Sequence, residues 1–171
     1  MSENNKNFVL RDGILYDKDV TSVILVTTEA VDVCIPNTVT DIRHLSGNSS
    51  IRKLSFEKGS SITELNGGLN GLSNLAVLTL PEKMTSIDVR ELTGCENITH
   101  ITVGENVTSI EIPDWYTDAP LERIALIENH SSVQITLGNG LAKNAFAVIN
   151  ADGTTDCKTG YESFKCVEKG D

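Results

Sequence analysis

The feature that most constrains this chain is a unit of about 23 residues that recurs four to five times. Each unit contains an apolar-x-apolar pair, and the second residues of successive pairs are separated by 21, 24, 23, 23 and 22 residues. The pairs are Val33 and Ile35, Leu54 and Phe56, Leu78 and Leu80, Ile101 and Val103, Ile124 and Leu126, and Phe146 and Val148. Because one unit of this size cannot bury its own apolar face, neighbouring units must stack and share a core. The sequence therefore predicts a repeat protein.

Each unit carries two further sets of apolar residues after its pair. The second set is Val39 and Ile42, Ile62 and Leu65, Met84 and Ile87, Val107 and Ile110, and Val133 and Ile135. The third set is Leu45, Leu69, Leu92 and Trp115. A small or polar corner such as Ser46-Gly47-Asn48 follows the third position. Three sets per unit predict a coil with a roughly triangular core.

The residue between two paired anchors is predicted to point away from the core, because side chains alternate along a strand. This column of outward positions reads Cys34, Ser55, Thr79, Thr102 and Ala125. A second column beside it reads Lys53, Val77, His100 and Arg123. Repeat proteins use such extended faces for binding, although a solvated face of mixed charge would show the same pattern. At ~4.8 Å per strand, five strands make a face about 25 Å long, which suits one modest interface.

Three runs resemble the I-P-x-x-V-T-x-I core of bacterial BspA-like leucine-rich repeats. They are residues 35–42 (IPNTVTDI), 80–87 (LPEKMTSI) and 103–110 (VGENVTSI). Residues 92–101 (LTGCENITHI) are similar to the F-x-x-C-x-x-L-x-x-I half of that repeat, and residues 12–19 (DGILYDKD) to its D-G-x-L-Y lead-in. The resemblance covers most of residues 12–127 and implies a type 5 leucine-rich repeat, whose members are commonly surface-exposed binding or adhesion modules. The family's G-x-x-A-F convex segment is replaced, so the curvature of that side does not follow from the resemblance.

These patterns together predict a β-rich leucine-rich-repeat solenoid of about five turns, with stacked parallel strands and little helix. Residues 1–33 are predicted to form an N-terminal cap, because Asp12-Gly13 is a strong hairpin signal and Val23–Val26 supplies a further strand. Residues 34–138 form the predicted solenoid. Residues 139–171 form a divergent last turn and a C-terminal cap, with the apolar segments 146–149 and 161–164 around a turn-rich stretch at 150–156. The three parts make one compact domain.

Charge and hydropathy limit the partners of the chain. A net charge of −10 at pH 7 disfavours nucleic acid, which is bound by clustered Lys and Arg. No stretch approaches the ~18 consecutive apolar residues of a membrane helix, so no membrane insertion is expected. Residues 1–6 lack the apolar core of a signal peptide. The family resemblance implies a cell-surface or secreted location, so either the chain is not exported by that route or it is trimmed.

No arrangement of residues predicts catalysis, a metal site or a cofactor. His44, His100 and His130 lie in different units, no Gly-x-Ser-x-Gly elbow occurs, and the Gly-rich residues 66–71 lack the Lys of a P-loop. Residues 150–153 match a calcium loop only in part.

The four cysteines contain no C-x-x-C pair, which disfavours a zinc site. Cys95 occupies a corner position and is predicted to be a buried free thiol. Cys157 and Cys166 are close enough in sequence to close a C-terminal loop, and we treat a disulfide between them as a hypothesis.

Three functions remain. The leading hypothesis is a non-enzymatic module that binds a protein partner, or mediates adhesion, through part of the two outward columns, with Tyr116 as an exposed aromatic anchor. The predicted binding residues are Lys53, Ser55, Val77, Thr79, His100, Thr102, Arg123 and Tyr116. Its neighbour Trp115 either joins that anchor or fills the core. The alternative is a structural building block that self-associates into a larger assembly, such as a surface layer or a virus particle. A hydrolase using Asp114 and Asp118 is the least favoured, because two carboxylates four residues apart in a loop fix no acid–base geometry.

Overall fold

A computed structural model describes residues 7–104, 106–107, 109–111, 126–129, 136–137, 146–149 and 155–158. This part of the chain is built from β-strands, turns and two short 3-10 helices, Arg43–Leu45 and Val89–Leu92, and contains no α-helix. In chain order the strands are β1 (Phe8–Arg11), β2 (Ile14–Asp17), β3 (Val23–Val26), β4 (Asp32–Ile35), β5 (Lys53–Phe56), β6 (Val77–Thr79), β7 (Ser86–Asp88), β8 (His100–Val103), β9 (Ser109–Glu111), β10 (Leu126–Asn129), β11 (Thr136–Leu137), β12 (Phe146–Ile149) and β13 (Thr155–Lys158). No helix among these residues has the length and apolar character needed to cross a membrane.

The first sheet is antiparallel and contains β1, β2 and β3. The predicted hairpin is confirmed, since Asp12 and Gly13 have φ values of 49° and 79° and β1 pairs with β2. Two consecutive positive φ angles are what a two-residue type I′ turn requires. The predicted strand Val23–Val26 is also confirmed as β3. This part of the chain is therefore built from local, antiparallel pairings.

The second sheet has the order β13-β12-β10-β8-β6-β5-β4. Its strands are parallel to their neighbours, except that β12 and β13 are antiparallel. One row of the register runs through Val33, Leu54, Leu78, Ile101 and Ile127, at intervals of 21, 24, 23 and 26 residues. Because parallel strands return at a nearly constant interval, the arrangement is leucine-rich-repeat-like.

A third, parallel sheet has the order β11-β9-β7. Ile87, Ile110 and Leu137 share one row of it, so the predicted anchor Ile135 is wrong and Leu137 takes its register position. In the two earlier units the second anchor set forms no strand, although one isolated bridge joins Ser22 and Asp41. The second sheet therefore extends over more units than the third.

The described core matches the three predicted anchor sets. Between residues 33 and 107 the predicted anchors are at most 3% exposed, apart from the half-buried Phe56. The buried side chains of β2 and β3, which are Ile14, Tyr16 and Val23, belong to the same apolar cluster. Burying one such side chain contributes about 1.5–3 kcal/mol. One continuous core therefore joins the antiparallel sheet to the repeat units.

Glycines occupy the corner of three successive units. Gly47, Gly71 and Gly94 have φ values of 77°, 74° and 76°. A Cβ on Gly71 would lie 3.3 Å from the Gly47 Cα, and a Cβ on Gly94 would lie 3.0 Å from the Gly71 Cα. These corners therefore favour glycine because of their own conformation and, at Gly71 and Gly94, because the neighbouring backbone is close.

Asparagine side chains join neighbouring units at other corners. Their Nδ2 groups donate to carbonyl oxygens 24 or 25 residues earlier in the chain: Asn74 to Ser49 at 2.7 Å, Asn97 to Ser73 at 2.7 Å and Asn106 to Glu82 at 2.6 Å. We call these three contacts the asparagine bridges. They satisfy corner carbonyls that have no strand partner.

Two Asp-x-Arg motifs stand at the starts of the 3-10 helices. Asp41 Oδ1 accepts from the Arg43 N–H at 3.0 Å, and Arg43 Nη2 donates to Asp41 Oδ2 at 2.7 Å. Asp88 accepts from the Arg90 N–H at 2.9 Å and is also contacted by the Arg90 guanidinium. Hydrogen bonds from Arg43 lower the pKa of Asp41 to about 2, and those from Arg90 lower the pKa of Asp88. The motif fixes the chain direction as it enters each helix.

The C-terminal strands differ from the sequence prediction in one respect. Phe146–Ile149 forms a strand as expected, but its antiparallel partner is Thr155–Lys158, part of which was predicted as a turn. The predicted segment 161–164 lies outside the described residues. The domain boundaries at residues 33 and 138 stay a prediction.

Candidate functional site

The first outward column is confirmed for three of its four members. Lys53, Val77 and His100 occupy successive positions across β5, β6 and β8. Lys53 and His100 are exposed and Val77 is half-buried. The fourth member is wrong, because Leu126 stands opposite His100 in the register. Arg123 itself lies outside the described residues, three positions before Leu126.

The second column shows the same pattern. Cys34 stands opposite Ser55, and Thr79 stands opposite Thr102. Cys34 is exposed, whereas the three hydroxyl side chains are half-buried. Glu128 takes the position beyond Thr102, so the prediction of Ala125 there is wrong. Small polar side chains therefore cover the outward side of the parallel sheet.

We call the six described residues of the predicted binding set the strand face. They are Lys53, Ser55, Val77, Thr79, His100 and Thr102. The other two residues of that set, Arg123 and Tyr116, lie outside the described residues.

The charges along the strand face are mixed. Asp32 stands opposite Lys53, and its Oδ2 lies 3.6 Å from the lysine Nζ. Both side chains are more than 60% exposed, so this ion pair contributes little to stability and leaves both groups accessible. His100 Nδ1 lies 2.8 Å from the Thr99 hydroxyl, which orients the ring. This side of the sheet thus presents a cation, a carboxylate and an imidazole across four neighbouring strands.

A cavity of about 280 Å³ opens at the carboxyl ends of β5, β6 and β8. It is lined by residues of the second outward column, by apolar residues, by a glycine and by one acidic residue: Phe56, Thr79, Leu80, Glu82, Thr102, Val103 and Gly104. We call it the Glu82 cavity. Sequence reasoning named Thr79 and Thr102 as site residues but missed the others. The available signals were an aromatic residue, Phe56, where other units have an aliphatic one, and Gly104 where the unit before it has Pro81.

The carboxylate of Glu82 is held in place by the neighbouring unit. Its Oε2 accepts from the Gly59 N–H at 3.0 Å. Glu57 makes the same kind of bond, since its Oε2 accepts from the Asn37 N–H at 3.1 Å, but it does not line the cavity. A charge-assisted bond to a backbone N–H orients a carboxylate at small entropic cost. The hydrogen bond therefore holds Glu82 in one orientation.

The cysteines divide by burial. Cys95 is buried, as predicted, and its thiol donates to the Leu69 carbonyl oxygen at 3.1 Å. Burial raises the pKa of the Cys95 thiol to about 11, so it is not poised as a nucleophile. Cys157 belongs to β13 opposite Ala147, whereas Cys166 lies outside the described residues. The disulfide between Cys157 and Cys166 stays a prediction.

Within the described ranges, His, Cys, Asp and Glu side chains form no group of three or more that could hold a metal ion.

Comparisons with known proteins place the chain near two larger structures. No protein-family model and no curated protein matches the chain. The chain is similar to the pneumococcal vaccine antigen PcpA, with 17% identity and a TM-score of 0.49 over 81% of this chain and 39% of that chain. It is also similar to a leucine-rich repeat protein from Eubacterium ventriosum, with 21% identity and a TM-score of 0.47 over 80% of this chain and 41% of that chain.

The chain thus spans about two fifths of the length of these two structures. Both likenesses are distant, and the repeat architecture follows from the strand order and register of the chain itself.

Proposed function

We propose that this chain is a BspA-like leucine-rich-repeat solenoid of about five turns between two caps, and that it acts as a non-enzymatic protein-binding or adhesion module. The strand face is the surface that meets the partner. A cell-surface or secreted location accords with the family resemblance of residues 35–42, 80–87 and 103–110.

The observation that carries this proposal is the register of the strand face. Lys53, Val77 and His100 lie side by side on three parallel strands, with Ser55, Thr79 and Thr102 in the column next to them. Strands in a sheet are about 4.8 Å apart, so the rigid backbone fixes the spacing of these side chains. A surface with fixed spacing loses little conformational entropy on binding.

The experiment is capture of partners by the full chain from its source organism and surroundings, with cross-linking and mass spectrometry. The test variant carries Lys53→Glu and His100→Glu, both at exposed positions of the strand face. The control is Lys18→Glu, because Lys18 is 65% exposed and pairs with Asp19 at 3.3 Å, whereas Lys53 is 62% exposed and pairs with Asp32. We expect a specific protein to be lost with the test variant and retained with the control. Equal capture by all three proteins would contradict the strand face.

Self-association is a second candidate because the antiparallel sheet exposes apolar side chains. Leu10 and Leu25 are 47% and 55% exposed, and Phe8 and Ile24 are about 40% exposed. Exposed apolar patches often mark protein contacts. Analytical ultracentrifugation of the full chain with Leu10→Lys and Leu25→Lys tests this candidate. A concentration-dependent oligomer that is lost in the variant favours assembly, whereas a monomer at all concentrations contradicts it.

A further inference from the structure

The chemistry of the Glu82 cavity points beyond a generic protein partner. We propose that this cavity receives the side chain of a lysine or arginine from the partner that docks on the strand face. This inference rests on the proposed function, because the cavity shares Thr79 and Thr102 with that face.

The size of the cavity suits one side chain. Its volume is about 280 Å³. Sites for whole small molecules usually enclose roughly 300–1,000 Å³. The cavity also opens beside the strand face, so a residue of a docked protein can enter it. Its opening beside the strand face therefore makes it accessible to an anchoring side chain of a docked protein.

The walls match the two parts of a long basic side chain. Phe56 is half-buried and lines the cavity, so it offers apolar surface for the methylene stem, whereas Leu80 and Val103 are buried beneath and expose almost no surface. An aromatic ring also attracts a cation through its quadrupole. Thr79 adds a hydroxyl that can accept a hydrogen bond from an ammonium or guanidinium group.

The charge of the cavity selects a cation. Among the lining residues that the structure describes, Glu82 is the charged one, and none is Lys, Arg or His. Its Oε2 already accepts from the Gly59 N–H, which fixes the carboxylate without neutralising it. The whole chain carries a net charge of −10, so its long-range field also attracts basic partners. Phosphate and carboxylate ligands would meet repulsion here.

The first experiment uses two peptides and the full chain labelled with nitrogen-15. The first peptide is acetyl-Gly-Gly-Arg-Gly-Gly-amide, and the second replaces Arg by citrulline, which has nearly the same shape without the charge. We expect the Arg peptide to cause saturable shifts of the backbone amides of Thr79, Thr102 and Gly104. We expect the citrulline peptide to bind at least fivefold more weakly. Equal binding of the two peptides, or shifts confined to other amides, would overturn the proposal.

The second experiment removes the charge of a single carboxylate. Glu82→Gln keeps an oxygen that can accept from the Gly59 N–H, and Glu57→Gln is the matched control because Glu57 bonds the Asn37 N–H outside the cavity. We expect Glu82→Gln to weaken the Arg peptide about tenfold and Glu57→Gln to change its affinity by less than twofold. Equal effects of the two substitutions on the affinity for the Arg peptide would overturn the proposal that the cavity binds a cation. Thr79→Phe, which fills the cavity from β6, should abolish the peptide shifts even if Glu82→Gln perturbs folding.

The two proposals can fail separately. In one outcome, partner capture depends on Lys53 and His100 while the Arg peptide binds no better than its citrulline form. This result supports the strand face as an interface and rejects the cavity as a cation site. Selective binding of the Arg peptide without any captured partner keeps the cavity as a cation site and rejects the strand face as an interface.

Discussion

The antiparallel sheet at the start of the chain and the parallel sheet of the repeat units share one core but are held together in different ways. In the antiparallel sheet, tight turns join strands that are neighbours in sequence, as between β1 and β2. In the parallel sheet each strand pairs with one that is 21 to 26 residues away. The antiparallel sheet is therefore specified locally, whereas each repeat unit depends on both of its neighbours.

The outward sides of the two sheets differ as well. The antiparallel sheet exposes large apolar side chains, including Leu10 and Leu25. The parallel sheet exposes charged groups and half-buries small hydroxyl residues such as Ser55 and Thr79. Exposed apolar patches favour association because contact buries their surface, whereas polar groups at fixed positions favour recognition of a particular partner. The two proposals, self-association and recognition of a partner, therefore concern separate surfaces of the molecule.

The largest expected effect on stability comes from comparing a buried leucine of the parallel sheet with an exposed leucine of the antiparallel sheet. Leu78 is fully buried between Leu54 and Ile101, whereas Leu25 is 55% exposed on the antiparallel sheet. We expect Leu78→Ala to lower the free energy of unfolding by about 2–5 kcal/mol, because it leaves a cavity between two units. Leu25→Ala should lower it by less than about 1 kcal/mol. Urea unfolding followed by circular dichroism measures both.

Equal losses for these two variants would break the distinction between the sheets. If Leu78→Ala does not fold, Ile101→Val provides a milder version, with an expected loss of about 0.5–1.5 kcal/mol.

The next prediction separates the cost of a residue's own backbone conformation from the cost of contact with the neighbouring unit. Gly47, Gly71 and Gly94 share nearly the same positive φ, but a Cβ on Gly47 would meet nothing within 4 Å. We expect Gly47→Ala to lose about 1 kcal/mol for its conformation alone. Gly71→Ala should lower the free energy of unfolding by more than this, and Gly94→Ala by more again. In both variants the new Cβ also approaches the glycine of the preceding unit, and the approach is closer at Gly94. Three equal values in urea unfolding would show that the neighbouring unit contributes nothing.

A smaller effect compares carboxylates in the two regions. Arg43 holds the pKa of Asp41 at about 2, whereas hydrogen bonds from Thr21 and Ser22 lower the pKa of Asp17 without a cation. Because the folded pKa of Asp41 lies below its unfolded value of about 3.9, its carboxylate stabilises the fold at neutral pH. This contribution is lost as the pH falls through about 4 toward 2.

Carbon-13 NMR of the carboxyl groups measures both pKa values. We expect about 1 M NaCl to raise the pKa of Asp41 more than that of Asp17, since salt screens the ion pair of exposed Arg43. A larger salt shift at Asp17 would contradict the assigned causes.

The last prediction concerns thiol access and involves no change in stability. Cys34 is exposed on β4, whereas Cys95 is buried with a pKa of about 11. At pH 8 a thiol with that pKa is ionised to about one part in a thousand, and burial also blocks the reagent. We expect N-ethylmaleimide to label Cys34 in the native protein and Cys95 only after unfolding, as read by peptide mass mapping. Rapid native labelling of Cys95 would contradict its burial.

The same mapping on unfolded, unreduced protein tests the disulfide. Labelling of all four cysteines excludes a bond between Cys157 and Cys166, whereas protection of these two supports it.

The sequence predicted the inner rows well because burial enforces them. Val33, Leu54, Leu78 and Ile101 stand opposite each other as the spacing indicated, and Asp12-Gly13 formed the expected hairpin. A core row tolerates few alternatives, since a slip by one residue would turn every apolar side chain to the other face.

The register beyond Ile101 could not be read from the spacing. The apolar-x-apolar pattern fitted Ile124 and Leu126, but the register uses Ile127, three residues later. Leu126 and Ile127 are adjacent apolar residues, so the pattern alone does not choose between the two phases. Because a strand has a period of two, an odd shift exchanges the inward and outward positions. Arg123 and Ala125 were therefore assigned to columns that Leu126 and Glu128 occupy.

The Glu82 cavity was missed for a different reason. Its carboxylate comes from the loop after β6, and its position depends on a hydrogen bond to Gly59 in the preceding unit. Such a bond joins residues 23 apart and leaves no local periodicity.

The asparagine bridges have a consequence for how this protein can be produced. Asn97 and Asn106 are each followed by an apolar residue and Thr, which makes both of them acceptors for N-linked sugars in a secretory pathway. The Nδ2 atom that would carry the sugar is the atom that reaches the preceding unit, at 2.7 Å from Ser73 and 2.6 Å from Glu82. A glycan attached there during synthesis would remove this hydrogen bond and keep neighbouring units from packing against each other. A host that does not attach such sugars would leave the stacking of the units intact.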